Sequence, residues 1–117
     1  MRVQTTFTVI ESAETFTHVQ IIGPLDLLGV GAIDLKLTAA TASRRKHTII
    51  DLTEVPFMAS LGMGLLVQVA RALTAREQRL ILLAPNATVA SAIKTSRLDT
   101  MMPIAESLEA AHGLLRA

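Results

Sequence analysis

Residues Thr48–Arg71 read TIIDLTEVPFMASLGMGLLVQVAR. The stretch opens on a short apolar run, His47–Leu52 (HTIIDL), bounded by polar residues, which is the mark of a strand buried on both faces. A loop with Pro56 follows, Thr53–Ala59, and then a periodic segment that predicts a helix from Ser60 to about Glu77. At 100° per residue Leu61, Leu65, Leu66, Val69, Ala72 and Leu73 share one broad face, enough to cover a sheet. Met63, Val67 and Ala70 form a second apolar arc. Gly64, Gln68, Arg71 and Ala75 make a narrow polar or neutral stripe. The second arc either packs on a neighbouring helix or forms a docking patch. Met adapts to partner surfaces, and Gly62 and Gly64 allow close backbone approach.

The same strand-then-helix alternation extends in both directions. Upstream, Thr6–Ile10 and Thr17–Ile22 are rich in β-branched residues and read as a hairpin turning at Glu11–Thr15. Gly23-Pro24 stops the second strand. Asp26 can cap a helix over about Leu27–Ser43, with Leu28, Ala32, Leu35 and Ala39 on one face. Arg44-Arg45-Lys46 breaks it. Downstream, Leu80–Ala84 (LILLA) reads as a second buried strand, Ala87–Leu98 as a helix, Met101–Ala105 as a short edge strand and Ser107–Leu115 as a last helix. The expected fold class is α/β: one domain over residues 1–117, with a mixed, mostly parallel sheet of four to five strands and about four helices. The hairpin is antiparallel, and the apolar strands pair in parallel across helical crossovers.

Composition limits the chemistry. The chain has 117 residues, 11 Lys+Arg against 10 Asp+Glu, three Phe, and no Tyr, Trp or Cys. Without Cys there is no disulfide framework and no thiolate metal site. A net charge of +1 provides no basic footprint for nucleic acid, and three Phe make a poor base-stacking platform. Half the residues are apolar and mean hydropathy is +0.47. Even so, the longest uncharged stretch, Val55–Ala70, falls short of the roughly 20 apolar residues of a spanning helix. The N-terminus, Met1–Thr6, has no apolar core of signal-peptide length. A cytoplasmic protein without membrane insertion is expected.

The familiar catalytic patterns are missing. Ala59-Ser60-Leu61-Gly62 is not a nucleophile elbow. Gly62-x-Gly64 lacks the third glycine of a dinucleotide fingerprint, and there is no phosphate-binding Gly-Lys-Ser/Thr. His18, His47 and His112 are scattered, as structural histidines usually are. Asp51-x-x-Glu54 is the tightest carboxylate pair and serves either the loop's hydrogen bonds or acid–base work. No enzyme and no cofactor or metal are expected. Ser60 itself has two readings. It is a good N-cap, with an incomplete capping box because Met63 stands three residues on. It is also a hydroxyl presented at a helix start.

These residues resemble the STAS domain of bacterial anti-sigma-factor antagonists. That family carries a "vvlDLs" strand leading through a Phe-hydrophobic-Asp-Ser-x-Gly-hydrophobic-Gly loop into a helix. The counterparts are Ile49-Ile50-Asp51-Leu52-Thr53, Val55 and Phe57-Met58-Ala59-Ser60-Leu61-Gly62-Met63-Gly64. The family's Gly-x-Leu-Asp appears as Gly23-Pro24-Leu25-Asp26. The resemblance implies a STAS-like fold and a switch protein that binds an anti-sigma factor serine kinase and so frees the sigma factor. It further implies that the kinase phosphorylates Ser60, ending the binding, and that a serine phosphatase restores it. By this resemblance the partner-binding residues are Pro24, Leu25, Asp26, Ala59, Ser60, Leu61, Gly62, Met63, Gly64 and Val67. The family's aspartate before the serine is Ala59 here, which leaves Asp26 as the nearby acidic residue. An alternative in the same family is a stand-alone accessory subunit of a membrane lipid transporter, docked constitutively on its ATPase.

Overall fold

Hydrophobic period sets the element order, and the computed structural model follows it through the residues it describes, 4–116. Met1–Val3 and Ala117, the ends of the expected domain, lie outside the described residues. Strands β1 (Thr6–Ser12) and β2 (Phe16–Ile22) form the hairpin. Helix α1 (Leu27–Ala40) leads to β3 (His47–Glu54). Then come α2 (Ser60–Thr74), β4 (Leu80–Leu83), α3 (Ala87–Thr95), β5 (Ile104–Ala105) and α4 (Leu108–Arg116). The five strands lie in the order β1-β2-β3-β4-β5, antiparallel for the first pair and parallel for the rest. The result is a single mixed-sheet α/β domain with four helices, as the alternation of periods predicts.

The central strands are apolar on both faces because both faces are covered. Val19, Ile21, Ile50, Leu52, Leu80 and Leu82 point into the main core with Val30, Ile33 and Leu37 of α1, the buried side of α2, and Val89 and Ile93 of α3. On the opposite face, Ile49, Ile81, Leu83 and Ala105 pack on Ala111 of α4. Helix α4 reaches the lower end of the hairpin through an edge-on contact of His112 with Phe16, ring centroids 4.8 Å apart. The basic break after α1 is more than punctuation. Arg44 reaches back across the sheet to Thr17 Oγ1 and, at 2.8 Å, to the Ala13 carbonyl, tying the hairpin turn to the helix end.

Several boundaries move. Helix α1 stops at Ala40, not Ser43, because Thr41 Oγ1 turns back onto the Leu37 carbonyl at 2.6 Å and a short 3₁₀ turn, Ala42–Arg44, follows. Helix α2 ends at Thr74 and α3 at Thr95, the latter before a second 3₁₀ turn at Leu98–Thr100. The last strand shrinks to Ile104–Ala105. The larger correction is the face of α1. Gly29, Val30, Ile33 and Leu37 are buried, whereas Leu28 and Leu35 are 63% and 82% exposed. Apolar residues surround this helix, so its sequence offers two stripes, and packing selects the one whose small Gly29 fits closely against the loop before it. A Cβ on Gly29 would sit 1.9 Å from the Pro24 carbonyl oxygen.

Candidate functional site

The site grows out of the ends of β2 and β3. Beyond the regular strands the two chains keep pairing. Gly23 N–H donates to the Glu54 carbonyl at 3.0 Å, Leu25 N–H to the Phe57 carbonyl at 2.9 Å, and Ala59 N–H to the Leu25 carbonyl at 3.0 Å. Leu25 and Met58 form a parallel bridge there, both buried. One residue after each partner of the Leu25–Ala59 bond stands a helix boundary: Asp26 caps α1, and Ser60 begins α2. Two helix N-termini are thereby set side by side at the carboxyl ends of parallel strands, where open α/β sheets place their functional surfaces. Asn86 braces the loop from the other side. Its Oδ1 accepts from Val89 N–H at 2.8 Å, capping α3, while its Nδ2 lies 3.3 Å from the Val55 and Pro56 carbonyls.

The two helix starts differ. Asp26 accepts from Gly29 N–H at 2.9 Å, the cap that the sequence predicts. Ser60 is not a cap. The N-cap position belongs to Ala59, in extended conformation, and it offers no side-chain acceptor. Gly62 and Met63 N–H both donate to the Ala59 carbonyl, at 2.9 and 3.1 Å. The amides of Ser60 and Leu61 take no acceptor among the described residues. Ser60 is the exposed first residue of an uncapped helix, with no acidic group in that first turn. The two carboxylates of the Asp51-x-x-Glu54 pair part company. Asp51 accepts from Thr53 N–H and Oγ1 at 2.8 and 2.7 Å, so it shapes the strand end, while Glu54 is exposed.

The remaining expected site residues separate by burial. Pro24, Asp26 and Ala59 are half-buried, and Ser60, Leu61 and Gly64 are exposed. Leu25 is fully buried, so its part in the site is the backbone pairing just described and not side-chain contact. Gly62 is also buried. The close approach its missing side chain permits is to Leu25 of the same chain, not to a partner. Met63 and Val67 are half-buried against the main core, and Met63 Sδ lies 3.9 Å from Ser96 Oγ beyond α3. Met63 and Val67 thus turn part of their surface inward, toward the core and the residue that ends α3. Leu61, expected on the sheet-covering face, is instead 47% exposed, and Ala72 is exposed too.

The open flank of α2 is the other one, toward α1. Leu61, Gly64, Leu65 and Gln68 line a groove of about 170 Å³ with Val30 and Asp34 of α1. Leu27, 73% exposed, stands at the start of α1 near its mouth, and the Phe57 ring is half-exposed in the loop. Leu27, Asp34, Phe57 and Gln68 are not among the expected site residues, although Phe57 stands in the loop motif and Gln68 in the polar stripe of the helix. None of the three histidines lines this groove. His18 is buried on the α4 side, and burial pushes its imidazole below its ordinary range, with Asp51 pulling the other way. His47 Nδ1 accepts from Arg79 N–H at 3.0 Å; burial first, then the Arg79 charge, lower it. Among the described residues no three side chains are grouped to hold a metal, and no helix is long and apolar enough to cross a membrane.

Comparison with known proteins agrees with this geometry. A family model for the STAS domain matches residues 7–111. A solved anti-sigma factor antagonist from Mycobacterium paratuberculosis superposes with a TM-score of 0.84 at 22% identity, covering 100% of both chains. The anti-sigma factor antagonist SpoIIAA in its unphosphorylated form gives 0.74 at 26% identity over 96% of this chain and 98% of that one. The Bacillus cell fate determinant SpoIIAA in the phosphorylated form gives 0.70 at 27% identity, covering 93% and 99%. No curated protein sequence matches the chain.

Proposed function

The chain belongs to the STAS domain family, and from that premise we propose that it is an anti-sigma factor antagonist gated by phosphorylation of Ser60. In this reading residues 1–117 form one cytoplasmic domain that acts by binding and not by catalysis. Its unphosphorylated form occupies an anti-sigma factor that is a serine kinase, and the sigma factor is released. The observation that carries the reading is the position of Ser60, exposed on an uncapped helix start beside the α1–α2 groove. The likeness to SpoIIAA, solved in unphosphorylated and phosphorylated forms, supports it.

The chemistry fits that place. The kinase moves the γ-phosphoryl group of ATP onto Ser60 Oγ; the hydroxyl proton leaves and ADP departs. The product brings about −1.5 to −2 charges. Within this chain the charge meets the amides of Ser60 and Leu61 and the positive end of α2, so the fold tolerates it. At a partner's surface the same charge must be desolvated next to Leu61 and Leu27, which opposes the contact. A serine phosphatase reverses the change by hydrolysis. In place of the family's aspartate, Ala59 leaves the hydroxyl without a neighbouring carboxylate on its own loop, and Asp26 is the acidic residue across the Leu25–Ala59 bond.

Incubation with the cognate kinase and ATP should add one phosphate, at Ser60, by intact-mass and fragment mass spectrometry. Phosphate at another residue, or none with that kinase, rejects the reading. By calorimetry Ser60→Ala should bind the kinase as the unmodified chain does and Ser60→Asp should bind at least tenfold more weakly; equal affinities contradict the gate.

A further inference from the structure

The groove between α1 and α2 changes character along its length. The two helices start side by side, so equal numbers of turns bring their residues to similar depth. Near the helix starts the walls are apolar: Val30 of α1, and Leu61 and Leu65 of α2. One turn further on they are polar, because Asp34 follows Val30 by four residues and Gln68 follows Gly64 by four. Gly64 leaves the space over α2 open, since a Cβ there would meet nothing within 4 Å. Asp34 is half-buried. Its Oδ1 accepts from the N–H of Leu35, the next residue, at 2.7 Å. No cation pairs with it among the described residues; Arg71, the lone charged residue of α2, lies beyond Gln68. A carboxylate held between apolar walls loses hydration, which costs free energy until a cation meets it.

We propose that this groove receives one side chain of the kinase, an arginine, an inference that rests on the antagonist reading and names the partner's anchor. An arginine laid in from the helix starts sets its methylene stem on Val30, Leu61 and Leu65. Its guanidinium then lies one turn deeper, about 5.4 Å along the helices, at Asp34 and the Gln68 side-chain oxygen. The planar fork donates to the carboxylate and the amide oxygen together, which the point charge of a lysine does less well. The groove of about 170 Å³ matches roughly five or six waters at their liquid volume, room for one long side chain and not for a helix. An apolar anchor is the poorer occupant, because it would seal the Asp34 carboxylate from water without a partner. The rim, Leu61 and Leu27, is apolar and exposed. An anion placed at the rim, phosphate on Ser60 included, obstructs entry without replacing Asp34 at depth.

Calorimetry of the full chain with its cognate kinase tests this. Asp34→Asn keeps the shape and the bond from Leu35 and removes the charge. It should bind about tenfold more weakly or worse, with an unchanged melting temperature. Gln68→Glu sets a second carboxylate at the same depth and should bind about threefold more tightly or better, while Gln68→Lys should bind weakly. Raising salt from about 50 to about 500 mM should weaken the unmodified chain more than Asp34→Asn. Equal affinities of Asp34→Asn and the unmodified chain, with Ser60 still phosphorylated and Ser60→Asp still weak, overturn the anchor and leave the gate standing. Tighter binding by Asp34→Leu assigns the groove to an apolar side chain and overturns it too. A chain that binds no kinase removes gate and anchor together.

Discussion

Gly62 lies so close to Leu25 that a Cβ on it would sit 2.5 Å from the Leu25 carbonyl oxygen and 2.7 Å from the Leu25 Cβ. The same carbonyl accepts from Ala59 N–H at 3.0 Å. The start of α2 is therefore seated directly on the loop that precedes α1. Gly62→Ala should force the two apart, and overpacking of this kind costs about 1–3 kcal/mol. Thermal denaturation should show a melting temperature several degrees lower, and kinase binding should weaken with it. Gly64→Ala, whose Cβ meets nothing within 4 Å, should leave the melting temperature unchanged.

Helix α2 starts without a side-chain cap although Ala59 has the extended backbone, φ −85° and ψ 170°, that a cap residue adopts. Ala59→Asp should supply the missing acceptor and stabilise the domain by about 1 kcal/mol. A urea titration should show the midpoint rising with an unchanged slope. No gain would mean that the first-turn amides are already satisfied.

Ser60→Asp separates folding from binding. A carboxylate at the first helical position interacts favourably with the helix dipole, by roughly 0.3–1 kcal/mol. The variant should melt at or slightly above the temperature of the unmodified chain while losing affinity for the kinase. A variant that loses both would trace its weak binding to misfolding.

The two flanks of α2 should respond differently. Leu61→Asp and Leu27→Asp alter exposed side chains at the groove mouth, so stability should hold and kinase affinity should fall at least tenfold. Met63→Ala removes a half-buried side chain from the α3 side and should lower the melting temperature with little change in affinity. The opposite pattern would move the docking surface to the Met63–Val67 arc.

Acid should weaken the fold through His18. Its Nε2 is buried without a hydrogen-bond partner among the described residues. Desolvation lowers its pKa below 6.5, His112 adds to the lowering, and Asp51 and Glu11 oppose it. The folded state therefore holds the neutral ring, and below 6.5 the unfolded chain binds the extra proton, so stability falls as pH falls through that window. His47, lowered as well, has the same sign. Urea midpoints at pH 7.5 and 5.5 should differ, and His18→Leu should shrink the difference; an equal difference would place the dependence elsewhere.

The sheet was legible because its strands announce themselves twice, by β-branched composition and by a period that differs from that of the helices between them. The HTIIDL and LILL runs are covered on both faces, and Gly23-Pro24 ends the regular part of the second strand. Helix faces were harder to read. Leu28, Val30, Ile33, Leu35 and Leu37 surround α1, so periodicity alone does not select the stripe; the 1.9 Å clearance at Gly29 does, and that is a tertiary fact. In α2 the leucines at 65, 66 and 73 were placed correctly, but Leu61 falls one turn before the helix meets the sheet. Ser60 was found from its motif, while its lack of a cap depended on the loop delivering Ala59, not Ser60, to the N-cap position.

Sheet order that repeats chain order has a consequence for how the molecule comes into being. Every strand pairs with the strand made just before it, and β3, paired on both sides, needs only β2 on one side and β4 on the other. A growing polypeptide can thus add strands one at a time, closing each loop around a single helix, with no early strand left waiting at an open edge for a late one. The parallel pairings of β3 still span about thirty residues, as Phe16 to His47 and Thr48 to Leu80 do, and closures of that length slow folding. The late pairing is the brief one of Ile104–Ala105, so the last step commits little. The serine-bearing helix shares its core with Val89, Ile93 and Met102, so its packing is complete only when the chain is nearly finished.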